Sequence, residues 1–543
     1  MDSFAQLTPP QLAAARHTDG PLLMLAGPGS GKTRTIVHRV VNLMQQGIPA
    51  QRILALTFTN KAAQEMNERV QDMMPGAHVW MGTFHRFCAR RLRDHAAMVG
   101  LHENYSIYDT SDSKTLMKRA VEAANVSTSH MSVDQISSVI SRFKNHLTLP
   151  DMLQGQRLTT KEKIAADVYP HYQQMLLTAN AVDFDDLLLH FATMLRENAE
   201  LRAEMDARFR YIMVDEYQDT NLAQYAIVRA MSRDNPNLAV TGDPDQSIYG
   251  WRGANLSNIL DFENDYPNVT TIRLEENYRS TPNILRAADQ LIRNNRRRKH
   301  KELFTQNDEG NPIRLCIYND AIDEADSIAD RIAALMVDEG RPASDFAIMY
   351  RMNALSRSLE HALRSRRVPY QIVKGLEFYQ RKEVKDLLAY LRLVNNPSDD
   401  VSLQRIINVP TRGIGAKTIR ILQQHAGAAG RPMIWSVQNV DLVDGLAARA
   451  KTMVRKFGEM LSGFFENATQ PLHTLLKKIV DDIEYQKYLE KHADPSRDAD
   501  PLENVNELLA AAAEFDEMDG LDGEEGGLEG FLEQVALVSD TDA

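Results

Sequence analysis

The 543-residue chain has only two cysteines, and it has no apolar run near the roughly 20 residues that cross a bilayer. Cys88 and Cys316 lie far apart and form no metal-binding pattern, which fits a reducing compartment. The N-terminus lacks the basic start and long apolar core of a signal peptide. These absences predict a cytoplasmic protein without a membrane partner.

Basic residues are outnumbered by acidic ones, and the chain has a net charge of −12. If this charge were evenly spread, it would disfavour a nucleic-acid partner. Residues 491–543 hold 16 acidic and 2 basic residues, so the remaining chain has 60 basic and 58 acidic residues, a net of +2. Basic clusters occur at 86–93 and 293–301. Taken alone, each is better explained as a solvated helix face than as a nucleic-acid surface.

The most informative glycines lie in segment 22–33, where an apolar run leads into a Gly-rich turn ending in Lys32 and Thr33. Apolar residues at helical spacing follow, so the segment predicts a strand, a phosphate-binding loop and a helix start. Lys32 would reach the β and γ phosphates and Thr33 would hold Mg²⁺. The alternative interpretation is a Gly-rich turn capped by a lysine. The segment also departs from the strict pattern G-x-x-x-x-G-K-[ST], because Ala26 stands at its first position. The predicted nucleotide-binding residues here are Ala26, Gly27, Pro28, Gly29, Ser30, Gly31, Lys32, Thr33 and Arg34.

Strand and helix patterns alternate in residues 1–84, and strand patterns return at 211–274. Together they predict a parallel α/β sheet. The predicted strands are Leu22–Ala26, Ile53–Phe58, Val79–Met81, Tyr211–Val214, Leu238–Thr241 and Thr271–Leu274, with helices from Lys32 and Lys61. Residues 85–209 have mainly helical patterns, which indicates a helical insertion.

A second α/β stretch is predicted after residue 312. Its strands are Ile313–Tyr318, Phe346–Tyr350 and Tyr370–Val373, with a helix over Glu324–Met336. The chain is then helical to about residue 514. The acidic, Gly-rich segment Asp516–Gly530 indicates a flexible loop.

Two carboxylates, Asp215 and Glu216, directly follow the predicted strand Tyr211–Val214. Ligands bind at the C-terminal edge of parallel strands, although an acidic turn explains this pair equally well by itself. Beside a phosphate-binding loop, Asp215 would complete the Mg²⁺ shell begun by Thr33. Glu216 would orient and deprotonate the attacking water.

Two later segments add candidates for the same chemistry. Gln246 follows an apolar strand and could sense a γ phosphate as a neutral group. Tyr278 and Arg279 follow another strand, where the tyrosine could stack on adenine and the arginine could act as an arginine finger. An ordinary ion-paired arginine is the favoured interpretation of Arg279 from the segment alone.

Aromatic and polar residues after the strands suggest contacts with nucleic acid. Tyr249, Trp251 and Arg252 lie in a Gly-rich polar turn, where rings can stack on bases. Packing of Trp251 between domains is the alternative. Hydroxyl, amide and ring side chains suited to phosphate and base contacts occur in two similar turns, at Phe58, Thr59, Asn60, Thr83 and His85. Helix N-capping explains Thr59 and Asn60 equally well.

These segments, in this order, resemble a superfamily 1A helicase of the UvrD/Rep/PcrA type. The resemblance runs from the start of the chain to about residue 540. Its motifs are AGPGSGKT (26–33), TFTNKAAQEM (57–66), GTFHRF (82–87), DFDDLL (183–188), VDEYQDTN (214–221), GDPDQSIYGWRGA (242–254), LEENYRST (274–281), YRMNALSRSLE (350–360) and VPTRGIGAKT (409–418).

The resemblance implies two RecA-like P-loop motor lobes, each with an inserted, mostly helical domain. The expected boundaries are 1–84 and 210–276 for the first lobe, 85–209 for its insertion, 277–373 for the first half of the second lobe, and 374–543 for the second insertion. ATP with Mg²⁺ would lie between the lobes, and single-stranded DNA would cross their top. Movement from 3′ to 5′ would split duplex at single-strand/double-strand junctions.

The resemblance also implies roles for individual residues. Gln11 would read adenine, Tyr278 would stack on it, and Arg279 would stabilise the transferring phosphoryl group from the second lobe. The implied DNA contacts are Phe58, Thr59, Asn60, Thr83, His85, Phe184, Tyr249, Trp251, Arg252 and Asn353.

The chain departs from the family pattern at its end, because no T-x-H-x-A-K-G-L-E-like segment and no second arginine-finger segment occur. We therefore expect a C-terminally truncated helicase that binds nucleotide and DNA with weak or absent unwinding. Three alternatives stay open: a small-molecule P-loop enzyme, a non-catalytic ATP- and DNA-binding remnant, and a helicase-like subunit of a recombination complex.

Overall fold

The computed structural model describes residues 3–372, 377–492, 500–518 and 526–541. They divide into two compact units. The first unit contains the described residues of Met1–Ser280, Leu291–Gln306 and Gly375–Ala543, and the second contains those of Thr281–Gln290 and Asn307–Lys374. The domain boundaries expected from the sequence stay a prediction.

A six-stranded parallel sheet organises the first unit, in the order β3-β2-β6-β7-β1-β8. Its strands are β1 (Leu22–Ala26), β2 (Ile53–Thr57), β3 (Trp80–Thr83), β6 (Tyr211–Val214), β7 (Leu238–Gly242) and β8 (Thr270–Leu274); β4 (Ser106–Ile107) and β5 (Ala181–Val182) form a separate parallel pair. The predicted α/β class is confirmed, and each of the six predicted sheet strands lies within two residues of its expected bounds.

The sheet is buried on both faces, as parallel sheets usually are. Alternation along β1 and β2 sends Leu23, Leu25 and Leu56 into one apolar cluster and Met24 and Ala55 into another. Because every strand runs in the same direction, the loops that follow them meet at one edge. The predicted site segments that follow β1, β2, β3, β6, β7 and β8 leave the sheet at that edge, whereas Phe184 follows β5 of the separate pair.

Helices cover the sheet and build the insertion. They are α1 (Pro9–Arg16), α2 (Lys32–Gln45), α3 (Asn60–Met73), α4 (Phe84–Asp94), α5 (Thr110–Ala123), α6 (Val133–Asn145), α7 (Thr160–Thr178), α8 (Phe184–Glu197), α9 (Ala199–Arg208), α10 (Leu222–Met231), α11 (Ser257–Leu260) and α12 (Phe262–Asp265). The predicted helical character of 85–209 is thus observed. The DFDDLL segment begins α8, where Asp183 caps the helix and accepts from the Asp186 N–H.

The rest of the described chain is helical. Its helices are α13 (Pro282–Ile292), α14 (Ala321–Asp338), α15 (Ser356–Ser365), α16 (Glu377–Gln380), α17 (Lys382–Asn395), α18 (Asp400–Ile406), α19 (Ala416–Ala428), α20 (Met433–Gln438), α21 (Ala448–Phe465), α22 (Leu472–Asp482), α23 (Tyr485–Lys491), α24 (Pro501–Met518) and α25 (Gly527–Thr541). The helices from α16 onwards share one apolar core. No helix among the described residues is both long enough and apolar enough to cross a bilayer.

Two predictions about elements are wrong. Ile313–Tyr318 and Phe346–Tyr350 form no strands, and neither do the described residues 370–372; Val373 lies outside the described residues. In Ile313–Tyr318, Leu315 and Ile317 are 86% and 88% exposed. A strand needs a ladder partner, and these segments have none among the described residues. The acidic segment Asp516–Gly530 is not wholly a loop, since α24 and α25 extend into both of its ends.

Candidate active site

The loop between β1 and α2 has the backbone geometry that a phosphate-binding loop requires. Gly29 and Gly31 adopt positive φ values of 65° and 80°. A Cβ on Gly29 would lie 2.5 Å from the Arg279 Cβ, and one on Gly31 would lie 2.6 Å from the Gln11 Nε2. Glycine is therefore needed at both positions for backbone conformation and for space. Ser30 is buried, and its hydroxyl donates to the Gly27 carbonyl at 2.8 Å.

Lys32 begins α2 and reaches the carboxylate that follows β6. Its Nζ lies 2.7 and 2.8 Å from the two carboxylate oxygens of Glu216. Glu216 has φ +49°, an uncommon conformation for a residue with a side chain. This turn aims its carboxylate back at the loop. Thr33 and Arg34 lie in the first turn of α2, where the Arg34 guanidinium donates to Gln6 at 3.0 Å.

Asp215 is the buried member of the carboxylate pair. Its backbone N–H donates to the Leu56 carbonyl at 2.9 Å, and its side chain accepts from the Glu216 N–H at 2.9 Å. Burial, and secondarily the neighbouring Glu216, raise the pKa of Asp215 to about 7, while Lys32 opposes this shift. A divalent cation would restore the charged form. The oxygen donors of Thr33 and Asp215 fit Mg²⁺, which takes few protein ligands and completes its shell with phosphate and water.

Gln218 and the loop after β7 extend the site. The Gln218 amide donates to Glu216 at 2.9 Å, and its oxygen accepts the Asp243 N–H at 2.9 Å. Asp243 in turn accepts from the Gln246 Nε2 at 2.6 Å. Gly242 is required here, because a Cβ would collide with the Gln218 side chain. The predicted γ-phosphate sensor Gln246 is therefore linked to the predicted water-activating Glu216.

The turn after β8 lies directly against the phosphate-binding loop. Asn277, which is buried, donates to the Pro28 carbonyl at 2.5 Å and accepts the backbone N–H of Arg279 at 2.9 Å. The Tyr278 N–H donates to the Gly29 carbonyl at 3.0 Å, and its ring is 47% exposed. The structure thus places Tyr278 and Arg279 beside the loop.

Gln11 lies on the other side of the phosphate-binding loop. Its amide donates to the Ser30 carbonyl at 3.0 Å, and its oxygen accepts the Thr8 N–H at 3.2 Å. The resemblance implies that Gln11 reads adenine. The contacts in this structure instead tie α1 to the loop, so adenine recognition remains a prediction.

A groove with a volume of about 1040 Å³ opens at the same edge of the sheet. Predicted DNA-binding residues that line it are Phe58, Thr83, His85, Phe184, Tyr249, Trp251 and Arg252. The Phe58 and Tyr249 rings stack with centroids 4.7 Å apart. The Arg252 guanidinium lies 4.8 Å from the centroid of the Trp251 ring, which is 74% exposed. Exposed aromatic faces beside a cation provide the features of a base-stacking surface.

Three predicted DNA-binding residues do not line this groove. Thr59 caps α3 by accepting the Ala62 N–H at 3.2 Å, and the Asn60 amide donates to the Leu537 carbonyl of α25 at 3.4 Å. Asn353 belongs to the second compact unit. Thr83 lines the groove but also caps α4. The N-capping alternative therefore explains the observed contact of Thr59.

A buried polar cluster supports the groove wall. Lys144 of α6 is fully buried, and its Nζ lies 2.7 Å from Asp183 and 2.8 Å from Asp186. Burial lowers the pKa of Lys144, but the two carboxylates outweigh it and raise the pKa well above its usual range. The adjacent Asn145 binds Asp185 at 2.8 Å and accepts from Asn221 at 2.5 Å. These contacts join the insertion to the segment that carries the predicted catalytic carboxylates.

Sequence reasoning missed three residues of this arrangement: Asn277, Gln218 and Lys301. The first two lie inside recognised motifs, but their roles depend on partners distant in sequence. Lys301 lies in the basic run 293–301 and is buried against Asp243. The explanation of that run as a solvated face is wrong for this residue.

The fold and the site together define a P-loop motor enzyme, and the family comparisons agree. The UvrD/REP helicase N-terminal domain matches residues 7–267, and the UvrD-like helicase C-terminal domain matches residues 272–543. The chain is 42% identical to the ATP-dependent DNA helicase PcrA of Bacillus subtilis (strain 168), over 99% of this chain and 72% of that protein. It is 39% identical to the PcrA proteins of Staphylococcus aureus (strain Mu50) and Leuconostoc citreum, over 98% of this chain and 73% and 72% of theirs. The chain belongs to the UvrD/REP helicase family.

Proposed function

We propose that this protein is an ATP-dependent DNA helicase that couples Mg²⁺-dependent ATP hydrolysis to 3′-to-5′ movement on single-stranded DNA. The main support is the 2.7 Å contact between Lys32 of the phosphate-binding loop and Glu216. This contact lies at the sheet edge that also forms the aromatic groove. A nucleotide site and a base-stacking surface on one sheet edge suit a motor better than a small-molecule kinase. Since DNA and ATP are its proposed substrates, the proposed place of action is the cytoplasm.

The nucleotide chemistry follows from the side chains present. Entry of a triphosphate supplies Lys32 with stronger partners than Glu216, namely the β and γ phosphates. The released Glu216 carboxylate then accepts a proton from the attacking water, which Gln246 helps to orient. Mg²⁺, held by Thr33 and Asp215, would neutralise charge on the phosphates.

Arg279 and Tyr278 complete the proposed nucleotide site. Arg279 stabilises the charge that develops on the transferring phosphoryl group, and the exposed Tyr278 ring stacks on adenine. Gln11, which touches the loop through Ser30, hydrogen-bonds the adenine edge after its present contact opens.

The proposed DNA substrate is a single strand that enters from a single-strand/double-strand junction. Phe58, Tyr249 and Trp251 present ring faces in the groove, and each base stacked on such a ring contributes about 1–3 kcal/mol. Stacking needs unpaired bases, so duplex does not fit this surface. The proposed further contacts of Thr59, Asn60 and Asn353 lie outside the groove wall.

The first test is steady-state ATP hydrolysis with and without a single-stranded oligonucleotide. We expect stimulation by the oligonucleotide, and loss of hydrolysis by about 100-fold or more in Lys32→Ala. Lys118→Ala, on an exposed face of α5, is the matched control and should hydrolyse ATP like the wild type. Strand separation on a 3′-tailed duplex, measured in parallel, reports unwinding.

The outcomes distinguish two of the open alternatives from a DNA-dependent motor. Hydrolysis that DNA does not affect would support a P-loop enzyme of another kind. Hydrolysis equal to that of Lys32→Ala, despite ATP binding, would support a nucleotide- and DNA-binding remnant. Preference for a 5′-tailed duplex over a 3′-tailed one would contradict the proposed direction.

A further inference from the structure

Lys301 is a buried lysine in a part of the site that the known motifs do not cover. Its side chain is 5% exposed, and its ammonium group contacts Asp243 and lies 3.1 Å from Asp245. Arg298 adds a second cation, 3.0 Å from the same Asp245 oxygen. Burial of a lysine is unfavourable unless a charge partner compensates. The two carboxylates of the loop after β7 therefore stabilise the lysine at this buried position.

Asp243 connects Lys301 to Gln246, one of the proposed catalytic residues. One carboxylate oxygen faces Lys301, and the other accepts from the Gln246 Nε2 at 2.6 Å. The amide oxygen is the acceptor end of the same group, so the contact of the nitrogen with Asp243 fixes the direction from which that oxygen can accept a hydrogen bond from water. The orientation of that amide thus depends on the orientation of the Asp243 carboxylate.

Lys301 is itself held at the edge of the phosphate-binding loop. Leu303, two residues further along the chain, occupies the space that a Cβ on Gly27 would need. The Phe304 carbonyl accepts the Asn277 N–H at 2.7 Å, and the Phe304 N–H donates to the Glu275 carbonyl at 3.1 Å. Segment 301–304 is therefore fixed to both the phosphate-binding loop and the turn that carries Arg279.

We propose that Lys301 is a positioning residue that fixes the Asp243 carboxylate, and through it the Gln246 amide, for alignment of the attacking water. The inference rests on the proposed ATP hydrolysis and identifies a residue outside the sequence motifs that tunes it. Removal of the ammonium group takes away the Lys301 contact of the Asp243 carboxylate and leaves the Asp245 N–H to hold that oxygen. The carboxylate is then less firmly oriented, and Gln246 loses its fixed acceptor.

The main test compares Lys301→Met, which keeps chain length without charge, with Lys301→Arg, which keeps the charge. We expect Lys301→Met to lower the kcat of DNA-stimulated ATP hydrolysis by about tenfold or more, with a KM change below about threefold. Lys301→Arg should recover a large part of kcat. Lys299→Met is the matched control, since Lys299 pairs with the exposed Glu263 at the surface. A kcat equal to wild type in Lys301→Met would overturn the proposal.

Two further measurements separate positioning from mere stability. If Lys301 acts through Gln246, Lys301→Met should lower kcat no further in a Gln246→Ala background; additive losses would overturn the proposal. Hydrogen exchange of segment 241–252 in the nucleotide-free protein should be faster in Lys301→Met and close to wild type in Lys301→Arg.

The exchange measurement needs no turnover, so it keeps this inference separate from the proposed function. Wild-type protein without ATP hydrolysis would contradict the proposed function. Unchanged exchange in segment 241–252 of Lys301→Met would contradict the role of Lys301 whether or not the protein hydrolyses ATP.

Discussion

His85 shows how one residue of the groove responds to its surroundings. It lies partly buried beside the Phe184 ring, with centroids 5.9 Å apart. Burial, and secondarily the positive charge of Arg252, lower the pKa of His85 to about 4 from 6.5. The imidazole is therefore neutral in the folded protein at pH values where it is already charged in the unfolded chain.

This shift predicts a loss of stability at mildly acidic pH. Above pH 6.5 the side chain is neutral in both states; between 6.5 and 4 only the unfolded chain takes up the proton. Folding should thus weaken by about 1–2 kcal/mol between pH 7 and pH 5 from this residue. Urea unfolding of His85→Gln across that range should show a shallower pH dependence. The same change at the exposed His171 is the control, and an equal slope in wild type and His85→Gln would contradict the assignment.

Sequence reasoning at this scale placed residues together where a local pattern fixes their position, while their chemical roles stay predictions. Lys32, Asp215 and Glu216 could be predicted because a Gly-rich turn and a strand end place them locally. Asn277 and Lys301 could not, since their partners Pro28 and Asp243 are distant in sequence. A lysine in a basic run gives no local sign that it will be buried.

At the scale of elements, the pairing of α6 with α8 illustrates a polar contact that fixes helix packing. Lys144 near the end of α6 meets Asp183 and Asp186 at the start of α8. The capping contact of DFDDLL is local in sequence, whereas the lysine that pairs with its carboxylates comes from another helix. Similarly, the apolar pattern of Ile313–Tyr318 indicated a strand, but strand formation depends on a neighbour that the pattern does not specify.

Replacement of Lys144 by methionine should be strongly destabilising. It leaves two buried carboxylates without their cation, and breaking a buried ion pair in this way costs about 3–5 kcal/mol. The matched control is Lys114→Met, because Lys114 pairs with Asp134 at the surface and such pairs contribute about 1 kcal/mol or less. Urea denaturation followed by circular dichroism compares the two variants. Equal midpoints would refute a supporting role for the cluster.

At the scale of the whole molecule, the parallel sheet brings both proposed activities to one edge. The loop after β7 carries Asp243 and Gln246 on the nucleotide side and, a few residues later, Tyr249 and Trp251 in the groove. A change in the position of this loop therefore reaches both sites. The order of the motifs can be read from the sequence, and their shared edge follows from the parallel direction of the strands, which the sequence also predicted.

This arrangement predicts that Trp251 controls how strongly DNA stimulates ATP hydrolysis. Trp251→Ala removes a ring that is 74% exposed, so the effect on folding should be small while the stacking energy is lost. The oligonucleotide concentration for half-maximal stimulation should rise roughly tenfold, as expected for the loss of one stacked base. Trp251→Phe keeps a ring face and should recover most of the affinity. If Trp251→Ala and wild type need the same oligonucleotide concentration, the groove is not the path of the single strand, and the loop after β7 does not connect DNA to the nucleotide.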